Sequence, residues 1–247
     1  MEQLARIGLA AKGVSYGLVA VLAIELALGR GGKATDRTGA LREIAHDPIG
    51  RAIVIALAVG FACYALWRLG EAVREHKLSK RLTALGKAAI YGALCWTAVS
   101  ILLGEDKSSG DKQKEATAGI LGWPGGQWIV IAVALAIGGA ALWNVYRGLS
   151  GRFMKDMKTG EMSPGVRAWT TRIGLVGHVA RGIVFGLIAW FFFKAAVDYN
   201  ANKAEGLDGA LRKLVHEDYG TWLLSIVAAG LFAYGVFCLL QARYRDV

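Results

Sequence analysis

The chain has 247 residues, of which 55% are apolar and only 19% charged, and its mean hydropathy is +0.40, a balance shifted away from ordinary soluble domains. The formal net charge is +10, but the Lys and Arg residues sit in short segments between long apolar runs, with no zinc-ligand spacing and no aromatic-interleaved basic strand, which excludes a nucleic-acid-binding domain. Glycine is abundant at 33 residues and proline scarce at 3, as suits long unbroken helices packed closely in lipid.

Six apolar runs reach or approach the ~20 residues that a bilayer core demands. Backbone polar groups find no partner in hydrocarbon, so each run is predicted to be a helix. The first, Gly13 to Gly29, reaches back toward Leu4 and contains Glu25. It lacks an A-x-A-type cleavage site and recurs later in the chain, so it is expected to stay as a permanent helix. The second, Ile49 to Leu69, is followed by the basic cluster Arg74, Lys77, Lys80 and Arg81. The third runs from Leu82 to Leu103 and the fourth from Gln127 to Tyr146. The fifth, Gly174 to Val197, holds His178 near its start and Lys194 near its end, and the sixth runs from Thr221 to Leu240. Trp123, Trp128, Trp169 and Trp222 fall at predicted span ends, where an aromatic belt belongs. Cys63, Cys95 and Cys238 lie within spans and read as small apolar core residues. An even number of spans puts both termini on one side. Lys and Arg dominate the terminal segments and the second and fourth loops, which predicts that side to be cytoplasmic. Anionic lipid is the expected partner of that face.

The spans repeat in pairs. Gly8, Lys12, Gly13, Tyr16 and Gly17 of the first pair match Gly177, Arg181, Gly182, Phe185 and Gly186 of the third. The middle pair is more diverged, with Arg81, Lys87, Ala88, Tyr91 and Gly92 against Arg6, Lys12, Gly13, Tyr16 and Gly17. Gly60, Tyr64, Trp67 and Arg68 recur as Gly139, Trp143, Tyr146 and Arg147, and Gly60 and Tyr64 again as Gly230 and Tyr234. Gly39-Ala40-Leu41-Arg42 and His46 recur as Gly209-Ala210-Leu211-Arg212 and His216. Both of these stretches are predicted as short helices at the outer interface. In the middle unit the corresponding loop, Ala116 to Gly126, has drifted. The units are placed at 1–75, 76–155 and 170–247. Each holds two spans and so inserts with one orientation, which predicts an all-α, six-helix membrane bundle with a pseudo-threefold axis along the membrane normal. Gly13 with Gly17, Gly182 with Gly186, and Ala88 with Gly92 are expected to be helix-packing positions.

The pattern resembles a bacterial membrane family, domain of unknown function 1206. The residues that carry it are Ala11-Lys12-Gly13 with Tyr16-Gly17, Ala180-Arg181-Gly182 with Phe185-Gly186, Gly39-Ala40-Leu41-Arg42, Tyr146-Arg147-Gly148 with Arg152-Phe153, and Ala242-Arg243-Tyr244-Arg245. The resemblance covers nearly the whole chain. It implies three two-helix repeats and a plasma-membrane location, and it brings no activity with it.

Two constellations of charge stand out, because ionisable groups in a membrane are costly and need a reason. Glu25 and Lys194 hold equivalent positions in the first and third units and are a candidate ion pair across the axis. Lys12, Lys87 and Arg181 hold one position in all three units and form a candidate ring of cations for an anionic lipid or phosphate. No paired histidines at metal-binding spacing, nucleophile elbow or phosphate loop is present in the sequence, so neither metal, cofactor nor enzyme activity is expected. Two functions stay open. One is a non-enzymatic scaffold or accessory subunit that binds lipid, a partner membrane protein or a second copy of itself. The other is an ion or proton channel, or a small-solute transporter, along the pseudo-axis.

Overall fold

The computed structural model describes residues 2–28, 45, 47–104, 109–215 and 219–245. Its helices are α1 (Glu2–Ala27), α2 (Pro48–Arg74), α3 (Leu78–Leu102), α4 (Ser109–Leu121), α5 (Gly126–Leu149), α6 (Pro164–Val197), α7 (Leu207–Val215) and α8 (Gly220–Tyr244). Six of them, α1, α2, α3, α5, α6 and α8, are long and apolar enough to cross a membrane. They outrun the apolar stretches because their ends are set by local chemistry as well as by hydrocarbon. Pro48 and Pro164 stand in the first turns of α2 and α6, where a missing N–H costs no hydrogen bond. Ser163 caps α6 by accepting from the Val166 amide at 3.4 Å.

The seams between units are closed at all three places. Helix α2 packs on α3, α5 packs on α6, and α8 returns to pack on α1. This cyclic pattern, last helix of one unit on first helix of the next, is the pseudo-threefold arrangement that the repeats predict. Glycine permits the close crossings. A Cβ on Gly13 would lie 2.8 Å from the Gly235 carbonyl oxygen, and one on Gly182 would lie 3.0 Å from that of Ala141. Two large apolar cores result. One joins α1, α6 and α8 through Val19, Val184, Leu224 and Phe237. The other joins α1, α2 and α3 through Leu9, Val54, Phe61 and Ala98. Helix α1 therefore belongs to both.

Within units the symmetry breaks. In units one and three the two helices interlock: a Cβ on Gly8 would come 2.7 Å from Tyr64 Cα, and one on Gly177 would come 2.6 Å from Tyr234 Cα. One turn away Gly60 abuts Ala11 and Gly230 abuts Ala180, so closely that neither glycine has room for a Cβ. The middle unit has Gly86 and Gly139 at the places of Ala11 and Gly60, yet a Cβ on either meets nothing within 4 Å. Helices α3 and α5 share no packed face comparable to α1–α2 or α6–α8. The cause is steric. Unit two carries Thr83 where the others carry Gly8 and Gly177, and Trp143 where they carry Tyr64 and Tyr234. Thr83 cannot enter a crossing that leaves no space for one carbon. The middle hairpin is splayed, and only 17% of the α5 span is buried against 50% of the α8 span.

The loops close the two ends. On the face that carries both termini, residues 150–163 fold under the bundle as two 3-10 turns, Arg152–Asp156 and Thr159–Glu161. Phe153 rises from this loop, fully buried, against Gly174, where even one added carbon would strike its ring. The Lys158 amide donates to the Tyr244 carbonyl at 2.7 Å, and Met157 bridges Arg245, so the loop and the chain end are tied together. On the opposite face lie α4 and α7. Helix α7 is the predicted helix of unit three, while its counterpart over 39–44, along with His46 and His216, lies outside the described residues. Helix α4 has no apolar periodicity until its final turn, so the sequence reads as a drifted loop. Glu205 joins the two helices as the ion-pair partner of Lys114 at 3.3 Å and Lys213 at 3.5 Å.

Candidate functional site

The first helices of the three units carry Lys12, Lys87 and Arg181 toward one aromatic-lined region, the chamber: Lys12 and Arg181 share the Tyr234 ring, and Lys87 is within electrostatic reach of Lys12. Each stands on the helix face that also carries an aromatic ring one turn later: Tyr16, Tyr91 and Phe185. Lys12 is 8% exposed, with its Nζ 5.2 Å from the centre of the Tyr234 ring. Arg181 donates from Nη1 to the Tyr234 hydroxyl at 2.6 Å. Its guanidinium lies over Phe185 at 4.8 Å and Tyr234 at 4.9 Å. The Nε–H of Arg181 is buried and has no hydrogen-bond partner. Lys87 is half-buried and within electrostatic reach of Lys12, Arg68, Arg147 and Arg245. Tyrosine rings line the chamber in two pairs, Tyr16 with Tyr234 at 4.8 Å and Tyr64 with Tyr91 at 4.3 Å. Their faces supply the negative side of a ring quadrupole to the cations.

Among the described residues no carboxylate lies within ion-pair distance of Lys12, Lys87 or Arg181. The carboxylates nearby serve a second layer of cations toward the termini. Arg68 is paired with Glu71 and also donates to the Tyr64 hydroxyl from Nε at 3.1 Å and Nη2 at 2.8 Å. Arg147 is paired with Asp156. Arg245, just past α8, lies over Trp67 at 4.8 Å, and its Nε–H is buried without a partner. Burial, and after it the charge of Arg68, hold the Arg245 guanidinium below its ordinary pKa. Excess positive charge thus converges on the chamber from both layers.

His178 borders the chamber and is not a free ligand. Its Nδ1 lies 2.7 Å from the Gly174 carbonyl, placing the proton there. Its ring stacks on Phe153 at 4.9 Å and meets Tyr234 and Phe237 edge-on.

The structure does not bring Glu25 and Lys194 together. Both side chains are exposed, and no ion pair joins them. Helix α1 buries Ala23 and Ala27 at this level, and α6 buries Ala195 and Ala196, which turns both charges outward. Among the packing glycines, Gly13 and Gly182 sit in tight seams, and Gly17 receives the approach of Gly235 from α8. Gly92 and Gly186 face open space. Sequence reasoning missed the aromatic lining and the role of Phe153. The one signal for the latter is that Phe153 is the single aromatic residue in the loop 150–163.

A family model described as Domain of Unknown Function (DUF1206) matches residues 7–75, 82–151 and 176–245. The chain is similar to "Uncharacterized protein YxxB" of Bacillus subtilis (strain 168), with 28% identity over 255 residues, covering 100% of this chain and 92% of the relative. No solved structure matches it.

Proposed function

The chain belongs to the DUF1206 family, whose model matches each of its three hairpins, and on that premise we propose that it is a non-enzymatic membrane scaffold holding an anionic phosphoester headgroup between Lys12, Lys87 and Arg181. The observation that carries this reading is a set of symmetry-related cations, Lys12 buried and Lys87 and Arg181 partly so, with no carboxylate of their own. An uncompensated buried charge costs several kcal/mol, and an anion that enters the ring removes that cost. Arg181 keeps a guanidinium N–H in reserve, and a phosphate oxygen suits that donor. The chamber sits toward the termini-bearing face; the Lys and Arg distribution supports a cytoplasmic side for that face, and the family resemblance supports a plasma membrane, where anionic lipid is available. The rival reading, conduction along the pseudo-axis, would need water where Tyr16 meets Tyr234 edge-on and Tyr64 packs at a tilt against Tyr91.

The test is phospholipid that stays with the purified protein, read by native mass spectrometry in mild detergent. The wild type is expected to retain about one anionic phospholipid. Lys12→Gln with Arg181→Gln removes two cationic contacts and is expected to lower its occupancy by tenfold or more, where each tenfold is about 1.4 kcal/mol. A wild type that carries no anionic lipid, or a double variant that carries as much, overturns the reading.

A further inference from the structure

The splayed middle hairpin leaves a lateral cleft between α3 and α5, framed by Thr83 and Gly86 on one side and Gly139 and Trp143 on the other. All four of these residues are exposed, whereas their counterparts in units one and three are all buried. The cleft is apolar along its outer course: Ile90 is one turn from Gly86, Leu135 one turn from Gly139, and both are exposed. At its inner end stands Lys87, the chain neighbour of Gly86 and the one ring cation whose hairpin is open. Lys12 and Arg181 stand on closed hairpins.

We propose that this cleft is a lateral port through which a membrane phospholipid reaches the ring, its phosphate between Lys12, Lys87 and Arg181 and an acyl chain lying out between α3 and α5. The inference rests on the reading of the ring as an anionic-headgroup site and names the source of the headgroup, a bilayer lipid in place of a free phosphate. Two independent features meet here. One is a gap in the helical wall, where Gly86 and Gly139 meet nothing within 4 Å and exposed Ile90 and Leu135 follow, which suits a hydrocarbon chain. The other is a set of buried and half-buried cations, with a buried, unpartnered Arg181 N–H among them, which suits an anion. An anionic amphiphile is the chemical class that satisfies both ends at once. Free phosphate would leave the apolar cleft without a purpose, and a neutral lipid would leave the charge unmatched.

The experiment uses the full chain in vesicles containing an anionic phospholipid with a photoactivatable diazirine on its acyl chain. Crosslinks are mapped by mass spectrometry. The expected adducts concentrate on residues 83–90 of α3 and 135–143 of α5. They fall about tenfold or more in Lys87→Gln, in line with loss of one charge-assisted contact, and they are unchanged by excess inorganic phosphate. Gly139→Phe, at a position with open space around it, provides a second variant that fills the cleft and should suppress adducts on α3 by a similar factor. Adducts spread evenly over the bundle, or concentrated on the α1–α2 or α6–α8 seams, overturn the port while retained lipid still supports the headgroup site. Full displacement by inorganic phosphate also overturns it. If no anionic lipid is retained at all, the headgroup reading itself falls, and the native mass spectra distinguish that result from failure of the port alone.

Discussion

Tyr64 and Asp156 each hold an arginine, but in surroundings that give the contacts different worth. Tyr64 is 2% exposed and accepts two guanidinium bonds from the buried Arg68. Asp156 is paired with Arg147 where the two side chains are 46% and 25% exposed, and water competes for both. Tyr64→Phe keeps the ring over the cation and deletes only the acceptor, so the Nε and Nη2 donors of a buried guanidinium lose their partner while Nη1 keeps Glu71. We expect a loss of about 1–3 kcal/mol, seen as a lower apparent Tm in detergent. Asp156→Asn is expected to cost no more than about 1 kcal/mol. Equal costs would show that the Tyr64 hydroxyl is not the anchor of Arg68. The arginines were legible in the sequence because Arg68 and Arg147 recur at the same repeat position. Their partners were less so. Glu71 lies one turn beyond Arg68, but Asp156 belongs to a loop whose fold back under the bundle no local pattern announces.

At the scale of helices, identical residues have opposite consequences. Gly60, Gly139 and Gly230 are repeat equivalents, and a reading of the sequence alone gives them one role. In the structure Gly60 and Gly230 are pressed against Ala11 and Ala180, while Gly139 faces open space. Gly60→Ala and Gly230→Ala should therefore overpack their hairpins and cost about 1–3 kcal/mol each. Gly139→Ala should be neutral or stabilising by up to about 1 kcal/mol, the gain in helix propensity. Thermal scans of the three variants in one detergent decide this, and destabilisation by all three would mean that the middle hairpin is closed in solution. The spans themselves were readable because hydrocarbon imposes a minimum apolar length. Their extra turns were not, since residues such as Arg172, whose side chain lies 5.8 Å from the centre of the Trp169 ring, lie outside the apolar run and are ordered by interface contacts. Helix α4 was hidden for a related reason. Its first turns, Ser109 to Lys114, are polar, and the residues that fix it, Leu121 in a small core with Val130 and Ala196 and Lys114 on Glu205, act only once the chain has folded.

For the whole molecule, three repeats in sequence become a ring with three closed seams between units but only two closed hairpins. The departure traces to Thr83 and Trp143, two larger side chains at positions where the neighbouring units require small or narrower ones. That reading makes the asymmetry intrinsic to the chain rather than to its surroundings, and distances across the three hairpins measure it directly. With Cys63, Cys95 and Cys238 replaced, spin labels can be placed in pairs on the exposed helix ends nearest the three equivalent crossings of α1–α2, α3–α5 and α6–α8. Packed helices lie about 8–10 Å apart between axes, so the first and third pairs should give narrow, mutually similar distributions once label length is allowed for. The α3–α5 pair should give a longer and broader one in lipid nanodiscs. Thr83→Gly with Trp143→Tyr restores the residues of unit one at those two places, and it should shift the third distribution toward the other two. If the double substitution leaves the α3–α5 distance unchanged, the side chains at the crossing do not hold the hairpin open. If the wild-type distances are all alike, the ring is threefold throughout and the lateral cleft does not exist in the membrane.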